Sequence, residues 1–310
     1  MMNIKCESIH IDVDAAVSGN VLAVVVLYKR PFKAVPSATR ILQWLDSSES
    51  NSDKLKLARC LIYDNSPAAQ PFDSELFHEC MDVFHNPLNG GTRAAYLHAL
   101  DIAKKYGYPW ILFLDHDTQL PENFFLAADQ AIAQLSENEK VCAVVPQVFD
   151  AEHPISPSRI TTYGRGYPRQ EAWVSVCKKT TLTAIGSASL IRTDALASVL
   201  PIPSTLVLDH LDHWLFREIQ CKGDKILVSS ARVEHSLSVQ SMDSIGADRY
   251  RSILAAELVY LKSSPRYSFA THLSWHALRT VKVIISTRRF DLARACVSGF
   301  FNIVRAKGDR

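Results

Sequence analysis

The amino-acid sequence predicts an α/β protein with a mostly parallel central sheet flanked by helices. Near-continuous apolar, β-branched runs such as residues 21–28 are typical of strands buried on both faces. Several of these runs end in clusters of Asp, Asn, Ser, Pro or Gly, which are typical of turns. Segments with helical periodicity lie between them, so strand and helix alternate through the first half of the chain. This alternation favours parallel strands joined by right-handed crossovers.

The predicted elements follow one another along the chain. Strands are expected at residues 21–28, 60–63, 83–85, 110–114, 141–148 and 225–228, and helices at 36–45, 92–105, 121–135 and 208–220. Thr92 is the predicted N-cap of its helix, and Pro121 suits the first turn of the next. Residues 150–183 are predicted to form long loops with short antiparallel strands. Beyond residue 241 the pattern is helical, in two or three segments.

Length and charge indicate one large domain with an appended segment. We predict an α/β domain over residues 1–240 and a basic helical C-terminal extension over residues 241–310. Residues 249–310 hold 12 Lys and Arg against three acids, a net charge of +9. Since the whole chain carries +2, the remainder carries −7. A basic tail on an acidic body predicts contact with an anionic surface such as a membrane. The alternatives are that its apolar side packs on the α/β domain or forms a homo-oligomer interface.

Cysteine usage and the N-terminal residues predict a cytoplasmic protein. The seven cysteines are scattered and form no CxxC pair, which fits neither a zinc site nor a disulfide framework. Residues 1–20 show no basic segment followed by an apolar core, so no signal peptide is expected. The apolar runs are shorter than the ~18–20 residues that span a bilayer. We therefore expect a soluble protein or one bound at the inner membrane face.

An acidic pair follows the strand expected at residues 110–114. In an extended chain alternate side chains share a side, so Asp115 and Asp117 can converge while His116 points away. Two carboxylates at the carboxyl end of a buried strand suit Mg²⁺ or Mn²⁺, and ligands bind at that end in open α/β sheets. The alternative is a solvated turn.

Two further turns lie at the same predicted edge of the sheet. Asp64 can accept hydrogen bonds from a nucleobase or a ribose hydroxyl, or it can cap the strand in an Asx-turn. Asn89-Gly90-Gly91 lets the backbone approach a ligand, and the helix that follows favours an anion such as a diphosphate. The alternative is an ordinary turn, and the segment is not a P-loop.

A second acidic cluster opens the helix expected at residues 208–220. Asp209 and Asp212 are three residues apart and share a helix face. One carboxylate placed there could take a proton from an alcohol, while the other caps the helix. His235 follows the last predicted strand and is a candidate third metal ligand, although a histidine there is more often a surface or hydrogen-bonded residue.

Taken in order, these segments resemble the inverting nucleotide-sugar glycosyltransferases of family 2, which have the GT-A fold. The resemblance covers residues 20–240 and is closest to the rhamnosyltransferase-like branch. The matching motifs are Tyr28-Lys29-Arg30, Asp64-Asn65-Ser66, Asn89-Gly90-Gly91-Thr92-Arg93, Leu114-Asp115-His116-Asp117, Gly186-Ser187-Ala188, Asp209 to Arg217, and His235.

The resemblance implies a role for each matched residue. Asp64 would bind the nucleobase, Asp115 and Asp117 would hold the metal on the donor diphosphate, and His235 would complete the metal shell. The other residues that the motifs assign to the donor are Tyr28, Asn89, Gly90, Gly91 and Arg93. The family often carries Asp-x-Glu-Trp, whereas Asp212-His213-Trp214 lacks the glutamate. The base therefore lies between Asp212 and Asp209, with Asp212 favoured.

The implied activity is sugar transfer from a nucleotide-sugar donor, with rhamnose as a candidate sugar, to a glycan or lipid-linked glycan in polysaccharide assembly. It implies Mg²⁺ or Mn²⁺ and no nucleic-acid partner. One alternative is a sugar nucleotidyltransferase, which is expected to carry a glycine-rich loop after the first strand; residues 27–31 contain no glycine. The other is a non-catalytic nucleotide- or glycan-binding protein on the same scaffold.

Overall fold

The computed structural model describes residues 20–46, 54–134, 140–160, 166–168, 182–222, 225–235, 245–264 and 268–305. The strands in this part of the chain are β1 (Val21–Leu27), β2 (Leu57–Asp64), β3 (Met81–His85), β4 (Trp110–Asp115), β5 (Thr118–Gln119), β6 (Val141–Asp150), β7 (His153–Ser156), β8 (Ser158–Ile160), β9 (Gly166–Pro168), β10 (Leu182–Thr183), β11 (Ser189–Arg192) and β12 (Lys225–His235). The helices are α1 (Ala38–Leu45), α2 (Gly91–Tyr106), α3 (Phe124–Ala133), α4 (Thr193–Ser198), α5 (Leu211–Cys221), α6 (Ala247–Lys262), α7 (Phe269–Thr287) and α8 (Phe290–Arg305).

The central sheet has the strand order β3-β2-β1-β4-β11-β6-β12-β5, with β7 paired to β6. Strands β1 to β4 are parallel to one another, and β12 is parallel to β6. Strand β11 runs antiparallel between β4 and β6. A smaller sheet has the order β10-β8-β9. The predicted mostly parallel sheet flanked by helices is thus confirmed.

Strand β1 shows why this sheet forms at the centre of the domain. All seven of its side chains are buried, so both of its faces are covered. Alternate residues Leu22, Val24 and Val26 share a cluster with the alanines on one side of α2. The other set, which includes Val21 and Val25, packs with residues of α1 and α3. A continuous run of β-branched residues therefore supplies apolar side chains to the helix layers on both faces of the sheet.

The four predicted helix starts in the α/β domain lie one to three residues from the observed ones, and a hydrogen bond explains the difference at two of them. Helix α2 begins at Gly91 with Gly90 as its N-cap, not at Thr92. The Thr92 hydroxyl instead donates to the Val207 carbonyl, 3.3 Å away. Helix α3 begins at Phe124, because the Pro121 carbonyl accepts the Phe124 N–H at 3.3 Å and closes a separate turn first. The start of α2 thus depends on a contact with a distant segment, and the start of α3 on a local turn.

Gly91 lies where the start of α2 touches the chain before α5. Its φ of +65° is a left-handed conformation, and a Cβ there would lie 2.4 Å from the Val207 carbonyl oxygen. We expect Gly91→Ala to lower the free energy of unfolding by about 2–4 kcal/mol, since backbone strain and overpacking add. Urea unfolding monitored by circular dichroism measures the loss.

The matched control is Gly107→Ala, at the C-terminus of the same helix. Gly107 also has a positive φ, +77°, but a Cβ there would meet no atom within 4 Å. Only the backbone strain remains, so a loss of about 1–2 kcal/mol is expected. Equal losses in the two variants would show that the contact with Val207 costs nothing.

Helices α6, α7 and α8 form a cluster of their own around Tyr250, Leu254, Leu292 and Cys296. Glu257 of α6 and Arg279 of α7 are joined there by a bidentate ion pair. Burial raises the pKa of Glu257, but the Arg279 guanidinium outweighs it and holds that pKa below its usual value. The division of the chain near residue 240 stays a prediction. Among the described helices, none combines the length and apolar character needed to cross a bilayer.

Candidate active site

The end of β4 and the end of β12 meet through the two-residue strand β5. Asp115 closes β4, and Thr118 at the start of β5 pairs with His235 at the end of β12. This pairing places one ligand atom from each of Asp115, Asp117 and His235 within 4.8 Å of the others. The Nδ1 atom of His235 lies 3.2 Å from Asp117 Oδ1. The three residues predicted as metal ligands are therefore brought together.

The chemistry of these three side chains fits a divalent cation. Asp117 Oδ1 is buried and accepts no hydrogen bond from the described residues. The pKa of Asp115 is raised to about 6, chiefly by burial and also by the negative charges of Asp117 and Asp212, against the opposing effect of His235. Two carboxylates and one imidazole match the preferences of Mn²⁺ and Mg²⁺. A cation there would bind this Asp117 oxygen and offset the repulsion between the two carboxylates.

Hydroxyl groups hold the triad in place from the side of β11. Ser187 Oγ accepts the Asp115 N–H at 3.1 Å and is hydrogen-bonded to Thr118 Oγ1. Thr118 Oγ1 lies in turn 3.2 Å from His235 Nδ1. Both hydroxyl-bearing residues are buried. Neither residue was predicted as a site residue from the sequence, where the available signal was the small-residue turn Gly186-Ser187-Ala188.

Asp212 lies beside the triad through the same turn. Its Oδ2 accepts the Gly186 N–H at 3.0 Å, next to the serine that holds Asp115. Its Oδ1 accepts the His213 N–H at 2.9 Å in the first turn of α5. Its charge also contributes to the raised pKa of Asp115. Asp212 therefore stabilises the start of α5 and presents a carboxylate close to the triad.

The prediction that Asp209 shares a helix face with Asp212 is wrong, because α5 begins at Leu211 and Asp209 lies before it. Asp209 instead forms a bidentate ion pair with Arg249 of α6. Helix α6 contacts α5 again through Arg217, which donates to the Tyr260 carbonyl at 2.5 Å and lies over the Tyr260 ring at 4.6 Å. The structure thus brings Asp212 toward the triad and ties Asp209 to the C-terminal helices. The base assignment stays a prediction, and this arrangement favours Asp212.

The Asp209–Arg249 pair is expected to show a measurable coupling energy. A double-mutant cycle with Asp209→Ala and Arg249→Ala should give about 1 kcal/mol, because the pair is bidentate and partly buried. The matched cycle uses the Arg192–Asp194 pair, whose aspartate is more exposed, 49% against 19% for Asp209. It should give less than about 0.5 kcal/mol. Chemical unfolding measures both, and equal couplings would contradict the assignment of a stronger pair.

Asp64 ends β2 and forms an Asx-turn, which was the alternative predicted for it. Its Oδ1 accepts the Ser66 N–H at 2.9 Å and its Oδ2 accepts the Gln70 N–H at 2.7 Å. The next residue, Asn65, donates from Nδ2 to the Gly91 carbonyl at 3.1 Å. The loop after β2 is therefore fixed against the start of α2. Each carboxylate oxygen of Asp64 keeps a further lone pair, so its role toward a nucleobase stays a prediction.

The remaining predicted donor residues lie after the parallel strands β1 and β3. Tyr28 follows β1 with its ring exposed and Lys29 Nζ 5.0 Å from the ring centroid. Asn89 has a positive φ of 48° in the turn after β3. Arg93 donates from its guanidinium to the Ile202 carbonyl and from its N–H to the Val207 carbonyl, at 3.0 Å each. Arg93 thus holds the loop before α5, and any contact of Arg93 or Gly90 with a donor stays a prediction.

The chain belongs to glycosyl transferase family 2, because the model of that family matches residues 39–200, more than half of the sequence. It is therefore a glycosyltransferase by family. A search of curated protein sequences finds no match.

Solved structures support the same fold. The crystal structure of S. aureus TarS 1–349 in complex with UDP-GlcNAc superposes with a TM-score of 0.54 at 13% identity, covering 93% of this chain and 81% of that one. A longer S. aureus TarS structure is 14% identical with a TM-score of 0.47; the match covers 87% of this chain and only 44% of TarS. At such low identity the likeness shows the fold alone, which is GT-A.

Proposed function

We propose that this glycosyltransferase transfers a sugar from a nucleotide-sugar donor to a hydroxyl of a glycan acceptor, in one displacement that inverts the anomeric carbon. The observation that carries the proposal is the convergence of Asp115, Asp117 and His235 at the carboxyl end of β4, with Asp212 next to them. The acceptor class, a glycan or a lipid-linked glycan, and rhamnose as a candidate sugar rest on the sequence resemblance.

Asp115, Asp117 and His235 would hold Mg²⁺ or Mn²⁺. When bound, the cation supplies Lewis-acid neutralisation of the negative charge that develops on the departing diphosphate. Ser187 and Thr118 keep the ligands oriented, so little reorganisation is needed when donor binds. The edge formed by Tyr28, Asp64 and residues 89–91 is where the nucleotide would lie, since ligands bind outside the carboxyl ends of parallel strands.

Asp212 is proposed as the base. Its carboxylate takes the proton of the acceptor hydroxyl as the oxygen attacks the anomeric carbon. The new carbon–oxygen bond forms on the face of the anomeric carbon opposite the bond to the diphosphate. That older bond breaks, and the nucleoside diphosphate leaves with its electron pair. The products are the inverted glycoside, a nucleoside diphosphate and a proton on Asp212.

A non-catalytic binding protein is the second candidate. It is favoured by the sequence around Asp212-His213-Trp214, which lacks the glutamate common in such enzymes. A nucleotidyltransferase is disfavoured because the loop after β1, residues 28–31, contains no glycine. Donor binding without turnover on any acceptor would point to the binding protein.

Calorimetric titration of a small nucleotide-sugar panel tests the proposal. The panel contains UDP-GlcNAc, which TarS 1–349 binds in its crystal structure, together with dTDP-rhamnose and a GDP-sugar, each with and without Mn²⁺. We expect metal-dependent binding of one nucleotide class, lost in Asp115→Ala and kept in Asp101→Ala, which removes an exposed carboxylate from α2. No binding by the folded protein to any member would overturn the proposal.

A further inference from the structure

The loop after β1 lies between the two ends of the proposed donor site. Strand β1 has β2 on one side and β4 on the other, and the three strands are parallel. Leu27 pairs with Asp64 at the end of β2. One residue earlier, β1 pairs with Asp115 at the end of β4. A nucleotide that reaches from the loop after β2 to the end of β4 must therefore pass over residues 28–30.

Hydrogen bonds fix this loop to the segments on both sides of it. The Lys29 N–H donates to Ser66 Oγ, in the loop after β2, at 2.7 Å. On the other side, Arg30 Nη1 donates to the His116 carbonyl at 3.4 Å. That carbonyl belongs to the peptide bond that joins His116 to Asp117. The Arg30 side chain is therefore held beside the turn that carries the proposed metal ligands.

The Arg30 guanidinium has donors that the described part of the chain leaves unused. Arg30 is half-buried, and its guanidinium makes no other hydrogen bond and no ion pair with the described residues. A guanidinium carries five N–H donors in a planar fork that matches two oxygens of a phosphate. Lys29 differs, since it is exposed and its Nζ lies 5.0 Å from the centroid of the Tyr28 ring. Arg30 is thus the cation of this loop that is best placed to meet an anion next to the metal ligands.

The proposed metal site alone leaves the charge of the donor diphosphate largely uncompensated. Asp115 and Asp117 together offset the charge of a divalent cation, so the cation and its two carboxylates are close to neutral when combined. A nucleotide sugar carries a negative charge on each phosphate, and one more develops as the bond to the sugar breaks. A fixed positive group aimed at that charge stabilises the transition state.

We propose that the Arg30 guanidinium binds the phosphate oxygens of the nucleotide-sugar donor and of the nucleoside diphosphate that leaves. The inference rests on the proposed sugar transfer and adds a residue to its donor site. The donor residues predicted from the sequence include Tyr28 of this loop but not Arg30. The hydrogen bond to the His116 carbonyl keeps the Arg30 side chain on the side of the triad, and its remaining N–H groups contact the diphosphate.

Calorimetric titration of nucleoside diphosphates in the presence of Mn²⁺ tests the inference. The probes are UDP, dTDP and GDP, which are the diphosphates of the nucleotide sugars in the panel above. For a diphosphate that binds the wild type, we expect Arg30→Gln to weaken binding by about tenfold or more. Arg30→Lys should weaken it by about threefold, because lysine keeps the charge and loses the paired donors. Titration with Mn²⁺ alone should show no weaker binding in Arg30→Gln, because Arg30 contacts a backbone carbonyl and no ligand side chain.

Two matched controls remove a positive charge without the proposed contact. Lys29→Gln removes one from the same loop. Arg40→Gln removes one from α1, where Arg40 Nη2 lies 3.8 Å from Glu122 Oε2. Each control should weaken binding of the same nucleoside diphosphate by less than about threefold, because a charge that makes no direct contact is screened by salt.

The possible failures of the inference and of the proposed function are distinct. Unchanged nucleoside diphosphate binding in Arg30→Gln would overturn the inference and leave the proposed function standing. An equal loss in Lys29→Gln would overturn it as well, since the effect would then belong to the charge of the whole loop. Weaker binding of Mn²⁺ alone to Arg30→Gln would show that Arg30 only holds the turn at His116. A folded wild type that binds neither the nucleotide sugars nor their diphosphates would overturn the proposed function and the inference with it.

Discussion

Asp117→Ala is expected to abolish measurable Mn²⁺ binding and to lower sugar transfer by about a thousandfold or more. Asp117 contributes a buried carboxylate oxygen that no described group hydrogen-bonds, and a cation is the partner that its charge and geometry suit. Loss of that cation removes several kcal/mol of stabilisation from the charge that develops on the leaving diphosphate, and each 1.36 kcal/mol is tenfold in rate. Titration calorimetry with Mn²⁺ and initial-rate kinetics give the two readouts.

The fold should survive this substitution, because it removes one of two neighbouring buried carboxylates that repel each other. An unfolding temperature close to that of the wild type, measured without metal, would separate lost metal binding from lost structure. Asp101→Ala is the matched control and should keep both activities. A purified, folded Asp117→Ala protein with near-normal turnover would remove Asp117 from the metal site.

Asp212→Asn is expected to lower kcat by about 10²–10⁴-fold, the range that a positioned general base supplies. The amide keeps the shape of the side chain and can still accept the Gly186 N–H through its oxygen, so the turn next to Ser187 should be retained. Since the substitution removes a proton acceptor and leaves the donor edge alone, the KM for the nucleotide sugar should change by less than about threefold.

The comparison that decides the base is Asp209→Asn. Asp209 is bound to Arg249, so this variant should loosen the contact with α6 and lower kcat by less than about tenfold. If Asp209→Asn were the slower of the two variants at equal stability, the base would be Asp209. If both kept wild-type kcat, no aspartate of this segment would act as the base.

Local patterns predicted the main strands of the sheet, because burial on two faces is visible in neighbouring residues. The β-branched run at residues 21–28 is one example, since every side chain of β1 is buried. The strand alternation expected to bring Asp115 and Asp117 to one side is wrong: Asp115 ends β4, His116 and Asp117 lie in the turn before β5, and the two carboxylates approach each other through that turn. Their meeting with His235 was implied by resemblance and not by spacing, since it depends on the pairing of β5 with the end of β12.

What could not be predicted depends on contacts between distant segments. Thr92 was predicted to cap α2, but the Val207 carbonyl, 115 residues away, takes its hydroxyl and the Arg93 N–H. Spacing alone could not separate Asp209 from Asp212 either. The difference lies in Arg249, forty residues further on, which engages only the first of them. Similarly, Ser187 supports Asp115, a proposed metal ligand, only because β11 inserts beside β4.

The contacts of α6 with α5 limit how the C-terminal helices can be exchanged between relatives. Arg249, Tyr260 and Ser263 lie beyond residue 240, yet they bind Asp209 and Arg217 on either side of the proposed base. A chimera that joins residues 1–240 of this chain to the C-terminal helices of a relative would therefore need both residues of each contact from the same parent protein. A substitution at Asp209 or Arg249 should accordingly be accompanied by a change at the other, so the C-terminal helices and the segment that carries the proposed base change together.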